Sequence, residues 1–174
     1  MYRQVGIETR WIQCRVSLEE PVKNPACEAE PGTTVLQMKI LSKVMAERFG
    51  LEGDVFGFAL PPREGAFGNV ASIFHHRVQG LAASSATPPE VILGHILAHE
   101  AGHLLLGING HSSRGIMHIP WRNDDLQRAE VGGLKFTRQQ AERMRKQVQQ
   151  RWEVLPQGDA AVVRSDSRTH SRTM

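Results

Sequence analysis

The segment from Pro88 to Gly107 constrains this chain more than any other part of it. It opens on Pro88-Pro89, closes on Gly107, and the run Val91-Ile92-Leu93-Gly94-His95-Ile96-Leu97-Ala98 between them is almost wholly apolar. Proline in the first turn and glycine just past the last are helix punctuation, so a helix over Glu90 to Leu106 is predicted. A helix that is apolar nearly all round belongs in the middle of a domain. Yet its second half reads His99-Glu100-Ala101-Gly102-His103. Burying a carboxyl and two imidazoles is costly unless something pairs with them. Any fold this chain adopts has to meet that cost.

A metal ion would meet it. Histidines four apart lie one turn above each other on one helical face, where two imidazole nitrogens can converge on one ion. The glutamate between them projects beside that face, within reach of a metal-bound water, in the arrangement of a zinc-metalloprotease helix. Of the eight histidines, five (His95, His99, His103, His111 and His118) fall between residues 95 and 118. Gly107 can turn the chain sharply and bring His111 back as a third ligand. Three protein ligands leave a zinc position open for water. Glu130, on a predicted helix 27 residues beyond His103, is the competing third ligand, by analogy with thermolysin-like sites. His95 sits one turn back on the same face and is expected in the core or as a support to the ligands. Trp121 is a candidate pocket wall or core residue, and His118 is unassigned.

From His99 through Trp121 the chain resembles the metzincin zinc proteases, in which helix histidines, a glycine turn, a third histidine and a methionine turn follow in this order. Here they are His99, His103, Gly107, His111 and Met117, with Ser112-Ser113-Arg114-Gly115-Ile116 leading into the methionine. The spacing departs from the family: three residues, rather than two, separate His103 from Gly107 and Gly107 from His111. The resemblance implies an α/β (α+β) domain with a twisted mixed sheet packed on the zinc helix and a helical C-terminal part. It also implies that Met117 supports the site from below without binding metal.

The rest of the chain is read for what surrounds that helix. Gly6 to Cys14 is strand-like, with Ile7, Trp11 and Ile12 apolar, and Ser17 to Thr34 reads as a loop. Val35 to Leu41 alternates and favours a strand, with Ser42 capping a short helix to Phe49 that Gly50 closes; one helix from Val35 to Phe49 is the competing reading. Strands are expected over Val55 to Leu60 and Asn69 to His76, around a turn-rich loop at Arg63 to Gly68. His75 and His76 would end the second strand on opposite faces and so not share an ion. Asn69 to His76 is also the expected edge strand for an extended peptide. A helix from Asp124 to Val131 with Asn123 as cap, and a third from Thr137 with Thr137 and Gln140 as capping box, complete the domain over residues 1–152. Ala141, Met144 and Val148 form the third helix's narrow apolar stripe. Residues 153–174 lack a packable face and are expected to be disordered.

Composition narrows the function classes. The net charge of +3 comes from one helix: Thr137 to Trp152 holds five basic residues against Glu142, while residues 1–136 carry 13 basic and 14 acidic side chains. A solvated helix face explains that, and no broad basic stripe with interleaved aromatics points to nucleic acid. No apolar run approaches the roughly 20 residues of a membrane span. Cys14 and Cys27 are either a disulfide closing a short loop or two separate thiols. A disulfide and the family's habits point to a secreted or periplasmic protein whose leader lies outside these residues; the lack of a visible signal peptide points to the cytoplasm.

The expected function is that of a zinc metalloendopeptidase acting, as a monomer, on a peptide or protein substrate. A zinc-activated water would attack the peptide bond with Glu100 as general base. The alternative is a non-catalytic zinc-binding domain, or a pseudoprotease that binds a partner.

Overall fold

The computed structural model describes residues 1–14, 27, 32–51, 55–60, 67–107 and 110–154. Three strands, β1 (Gln37–Leu41), β2 (Gly57–Ala59) and β3 (Val70–Phe74), form one mixed sheet in the order β1-β3-β2. β1 runs parallel to β3 with Ile40 opposite Ile73, and β2 runs antiparallel to β3 with Gly57 opposite Ile73. Among the described residues five helices accompany it: α1 (Lys43–Glu47), α2 (His75–Ser85), α3 (Pro89–Leu106), α4 (Asn123–Glu130) and α5 (Arg138–Glu153). The protein is thus a mixed α/β fold with a small sheet and a helical C-terminal part.

α3 is the axis of the molecule: eleven of its 18 residues are buried. Ile92 and Ile96 face Ile73 of the sheet, Val78 of α2 and Leu126 of α4. Ala98, Ala101, Leu105 and Leu106 face the other way, into a cluster with Tyr2, Ile116, Met117, Phe136 and Met144. The helix therefore joins two halves of the core, as its apolar circumference requires. Its polar residues are held at the same depth.

The helix starts hold to within a residue. Ser42 caps α1 through its hydroxyl, which accepts from the Met45 amide, although the helix ends at Glu47 rather than Phe49. Thr137 and Gln140 form the expected capping box on α5. α4 begins at Asn123, one residue early, because the Asp125 carboxylate takes the Arg122 amide and makes Arg122 the cap. In the first half the strands are shorter than expected.

Three expectations fail. Gly6 to Cys14 is not a strand: a 3-10 turn over Tyr2–Val5 ends at Gly6, and of the three apolar residues only Ile7 is buried, with Trp11 and Ile12 exposed. Among the described residues no strand pairs with this segment. Instead the Tyr2 hydroxyl donates to the Ala98 carbonyl at 2.8 Å and ties the N-terminus to α3. Secondly, the strand expected to reach His76 stops at Phe74, and His75 and His76 open α2. Val78, Leu81 and Ala82 supply that helix with an i, i+3, i+4 stripe, which Gly80 weakens in the sequence. β3 is moreover the central strand, so Asn69 to His76 cannot serve as the edge that receives a peptide.

Cys14 and Cys27 are disulfide-bonded, which resolves the choice between bridge and separate thiols. No helix among the described residues is long and apolar enough to cross a membrane. Residues 155–174, most of the expected tail, lie outside the described residues, as do those of the Ser17 to Thr34 loop apart from Cys27 and residues 32–34.

Candidate metal centre

The last three turns of α3 place His99 and His103 on one face with their Nε2 atoms 3.1 Å apart. Gly107, at φ 81°, ends the helix. Past it the chain returns to bring His111 Nε2 to 3.0 Å from His103 Nε2. One ligand atom from each of the three lies within 4.8 Å of the other two. A tetrahedral zinc with bonds near 2.0–2.1 Å separates its ligand nitrogens by about 3.3 Å. The trio therefore fits such an ion with little rearrangement. Burial is graded, with His99 buried, His103 half-buried and His111 exposed, so the centre opens to solvent on the His111 side.

Backbone carbonyls orient the rings. His99 Nδ1 donates to the Ile116 carbonyl at 2.8 Å, which leaves Nε2 as the free lone pair. A hydrogen bond to the Gly107 backbone does the same for His103. Outer partners of this kind fix tautomer and ring direction at metal sites. Burial pushes the His99 pKa down to about 4, with neighbouring His103 and His111 adding to the effect and the Ile116 hydrogen bond opposing it. Burial lowers His103 too, helped by His111, and it lowers His111. All three shifts favour the neutral imidazole, the form that binds metal.

Glu100 is buried on the same helix. Desolvation raises its pKa to about 8. Its Oε2 is buried with no hydrogen-bond partner among the described residues. The carboxyl lies against bare backbone of β2: a Cβ on Gly57 would stand 2.9 Å from Glu100 Oε1 and 2.6 Å from the Ser72 carbonyl oxygen. Glycine is needed here for room rather than for conformation. Three converging imidazole nitrogens, on a helix that also buries a carboxyl oxygen without a hydrogen-bond partner among the described residues, are what a site for a cation presents.

The other expected residues fall around this centre. Met117 is fully buried, and its sulfur lies 2.5 Å from where a Cβ on Gly102 would be, so the glycine between the histidines makes room for the methionine. Trp121 is half-buried, donates its indole N–H to the Ile116 carbonyl at 3.2 Å, and sets its ring edge-on to His99 at 6.1 Å. It thus shares the carbonyl that orients His99. His95 binds its own helix, Nδ1 to the Val91 carbonyl at 2.8 Å, and meets Trp121 edge-on at 6.4 Å. It does not join the trio. Glu130 is exposed at the end of α4 and lies outside the cluster, which leaves His111 as the third candidate ligand. His118 Nδ1 approaches Asp125 Oδ2 at 3.4 Å and so belongs with α4.

Sequence reading missed two supports. Gly57 carries no motif, and only the strand pairing reveals its closeness to Glu100. Gln140 was identifiable as a capping residue but not as a partner of residues near 111. Comparison with known proteins finds no matching family, no matching curated protein and no matching solved structure.

Proposed function

We propose that this chain is a zinc-dependent metallopeptidase of metzincin-like architecture, with His99, His103 and His111 as metal ligands and Glu100 as the general base. The observation that carries the reading is the convergence of three imidazole nitrogens, two of them from the helix that also buries Glu100 with its Oε2 unpartnered among the described residues. Zinc bound by the trio would supply Lewis acidity toward a carbonyl and lower the pKa of a water.

The chain's own residues supply the rest. Glu100 accepts a proton from the attacking water and delivers it to the leaving amine. Its raised pKa belongs to the site without a cation; with a divalent ion held by the trio, Glu100 would be drawn toward the carboxylate form that serves as a base. β2 is an outer strand of the sheet, antiparallel to β3, and its Gly57 touches Glu100. An extended peptide added along the outer edge of β2, unpaired among the described residues, would pass next to the base, the place expected of Asn69 to His76 from the sequence. His99 and Trp121 hold one carbonyl in common, so Trp121 keeps the deepest ligand in register. Met117 fills the space under the helix that Gly102 leaves.

A structural zinc site normally has four protein ligands and no use for a carboxyl held apart from them. Among the described residues the metal-capable cluster holds three groups. The test is peptide hydrolysis by the zinc-loaded chain and by Glu100→Gln. The expected outcome is zinc near one equivalent in both and turnover lower by at least about 100-fold in the variant. Equal turnover in both would remove Glu100 from the mechanism. No turnover in either, with zinc bound, would favour the partner-binding domain.

A further inference from the structure

The third ligand, His111, is the most exposed of the trio and the only one outside a helix. A loop ligand binds well only if the loop is held in place before the metal arrives. Gln140, in the first turn of α5, is 4% exposed and has each of its polar groups engaged. Its Oε1 accepts from the Thr137 amide at 2.9 Å, and its own amide donates to Thr137 Oγ at 3.2 Å; this is the capping box. Its Nε2 does something a cap does not require. It donates to the Gly110 carbonyl at 3.1 Å and to Ser112 Oγ at 3.0 Å, the two residues flanking His111.

Those two contacts continue into the loop. The Ser112 hydroxyl, held by Gln140, donates to the Arg114 carbonyl at 2.8 Å. The Ser112 amide donates to the Met117 carbonyl at 3.1 Å. Gly110 lies so close to α3 that a Cβ there would stand 3.3 Å from His103 Nδ1. The residues on both sides of His111 are thus pinned, and Gln140 is the side chain common to both.

We propose that Gln140 is the positioning residue of the metal centre: its carboxamide fixes His111 for metal binding and couples the N-terminal end of α5 to the site. The proposal rests on the reading of the three histidines as a metal centre. It does not depend on peptidase activity.

Two substitutions separate the cap from the positioning role. Gln140→Glu keeps a capping-box acceptor for the Thr137 amide but replaces the donor facing Gly110 and Ser112 with an acceptor. Thr137→Ala weakens the cap and leaves the Nε2 contacts in place. Zinc affinity of the full chain is measured by competition with a chromophoric chelator at pH 7. Gln140→Glu is expected to bind zinc about tenfold or more weakly, in the range of other outer-sphere changes, and Thr137→Ala within about twofold of the parent. The parent alone supplies a second measurement. Coupling is reciprocal, so zinc should slow amide hydrogen exchange at Gln140 and Ala141. Equal zinc affinity in the parent and Gln140→Glu, an equal loss in both variants, or unchanged exchange at α5 on zinc binding would each overturn the role of Gln140. Failure of the parent itself to bind zinc would overturn the metal centre and the proposal with it.

Discussion

Two regions of this molecule break the rule of apolar inside and polar outside in opposite senses. Around α3, His99 and Glu100 are buried in an apolar core. Around α1 and the outer strand β1, Ile40, Val44, Met45 and Phe49 are each 50% exposed or more. Scattered exposed apolar side chains are ordinary on protein surfaces, whereas buried ionisable groups demand a reason. At α3 the reason is visible in the geometry, since the rings are tied to backbone carbonyls and their free nitrogens meet at one place. Departures of the first kind cost stability and so mark chemistry; those of the second cost little.

The largest effect expected from that contrast is on the metal. His103→Ala removes the ligand between the other two and should weaken zinc binding by more than about 100-fold, beyond what an outer-sphere change costs. Zinc competition measures it. A loss below tenfold would place the ion elsewhere.

Next comes the cost of burying Glu100. Its pKa is raised from 4.5 to about 8, so the folded metal-free chain holds this proton more tightly than the unfolded chain does. The stability linked to it is fully present below pH 4.5 and is lost as pH rises toward 8. Gln, a neutral stand-in, feels none of this. Denaturant unfolding of the chelator-stripped chain should show Glu100→Gln gaining on the parent between pH 5 and pH 8, by several kcal/mol at the upper end. A gap that stays constant with pH would mean that the carboxyl is not desolvated.

Smaller again is the effect of crowding Glu100 from the strand side. Gly57→Ala should reduce turnover about tenfold or more while zinc stays bound, because the new methyl group meets the carboxyl and the Ser72 carbonyl. Unchanged turnover would mean that β2 does not position the base. At the far end of the scale, Val44→Ser, at a side chain 64% exposed, should change stability by less than about 0.5 kcal/mol and leave zinc affinity alone. A cost of several kcal/mol there would show that the α1 region is covered by something and would end the contrast.

What could be read in the sequence follows the same division. α3 was legible to within a residue because Pro88-Pro89 and Gly107 act through local backbone geometry, and His99, Glu100 and His103 because helical spacing is local too. The capping box at Thr137 and Gln140 was legible for the same reason. What lay hidden depends on contacts between distant segments. α2 was missed because Gly80 interrupts a weak stripe, and Gly6 to Cys14 was misread because a strand needs an edge that no local pattern reveals. That β3 is central and β2 outer is likewise a matter of strand order, which no local pattern reveals. The second use of Gln140 could not be read at all, since the Gly110 carbonyl it holds is 30 residues away.

The central claim is that three histidines and no fourth side chain hold the metal, which leaves a position for water and substrate. X-ray absorption at the zinc edge of the loaded chain tests it directly, because multiple scattering counts the imidazoles. The account predicts three imidazole nitrogens at about 2.0–2.1 Å and one further light scatterer that exchanges with added small ligands. A closed shell of four protein ligands, or fewer than three imidazoles, would contradict it.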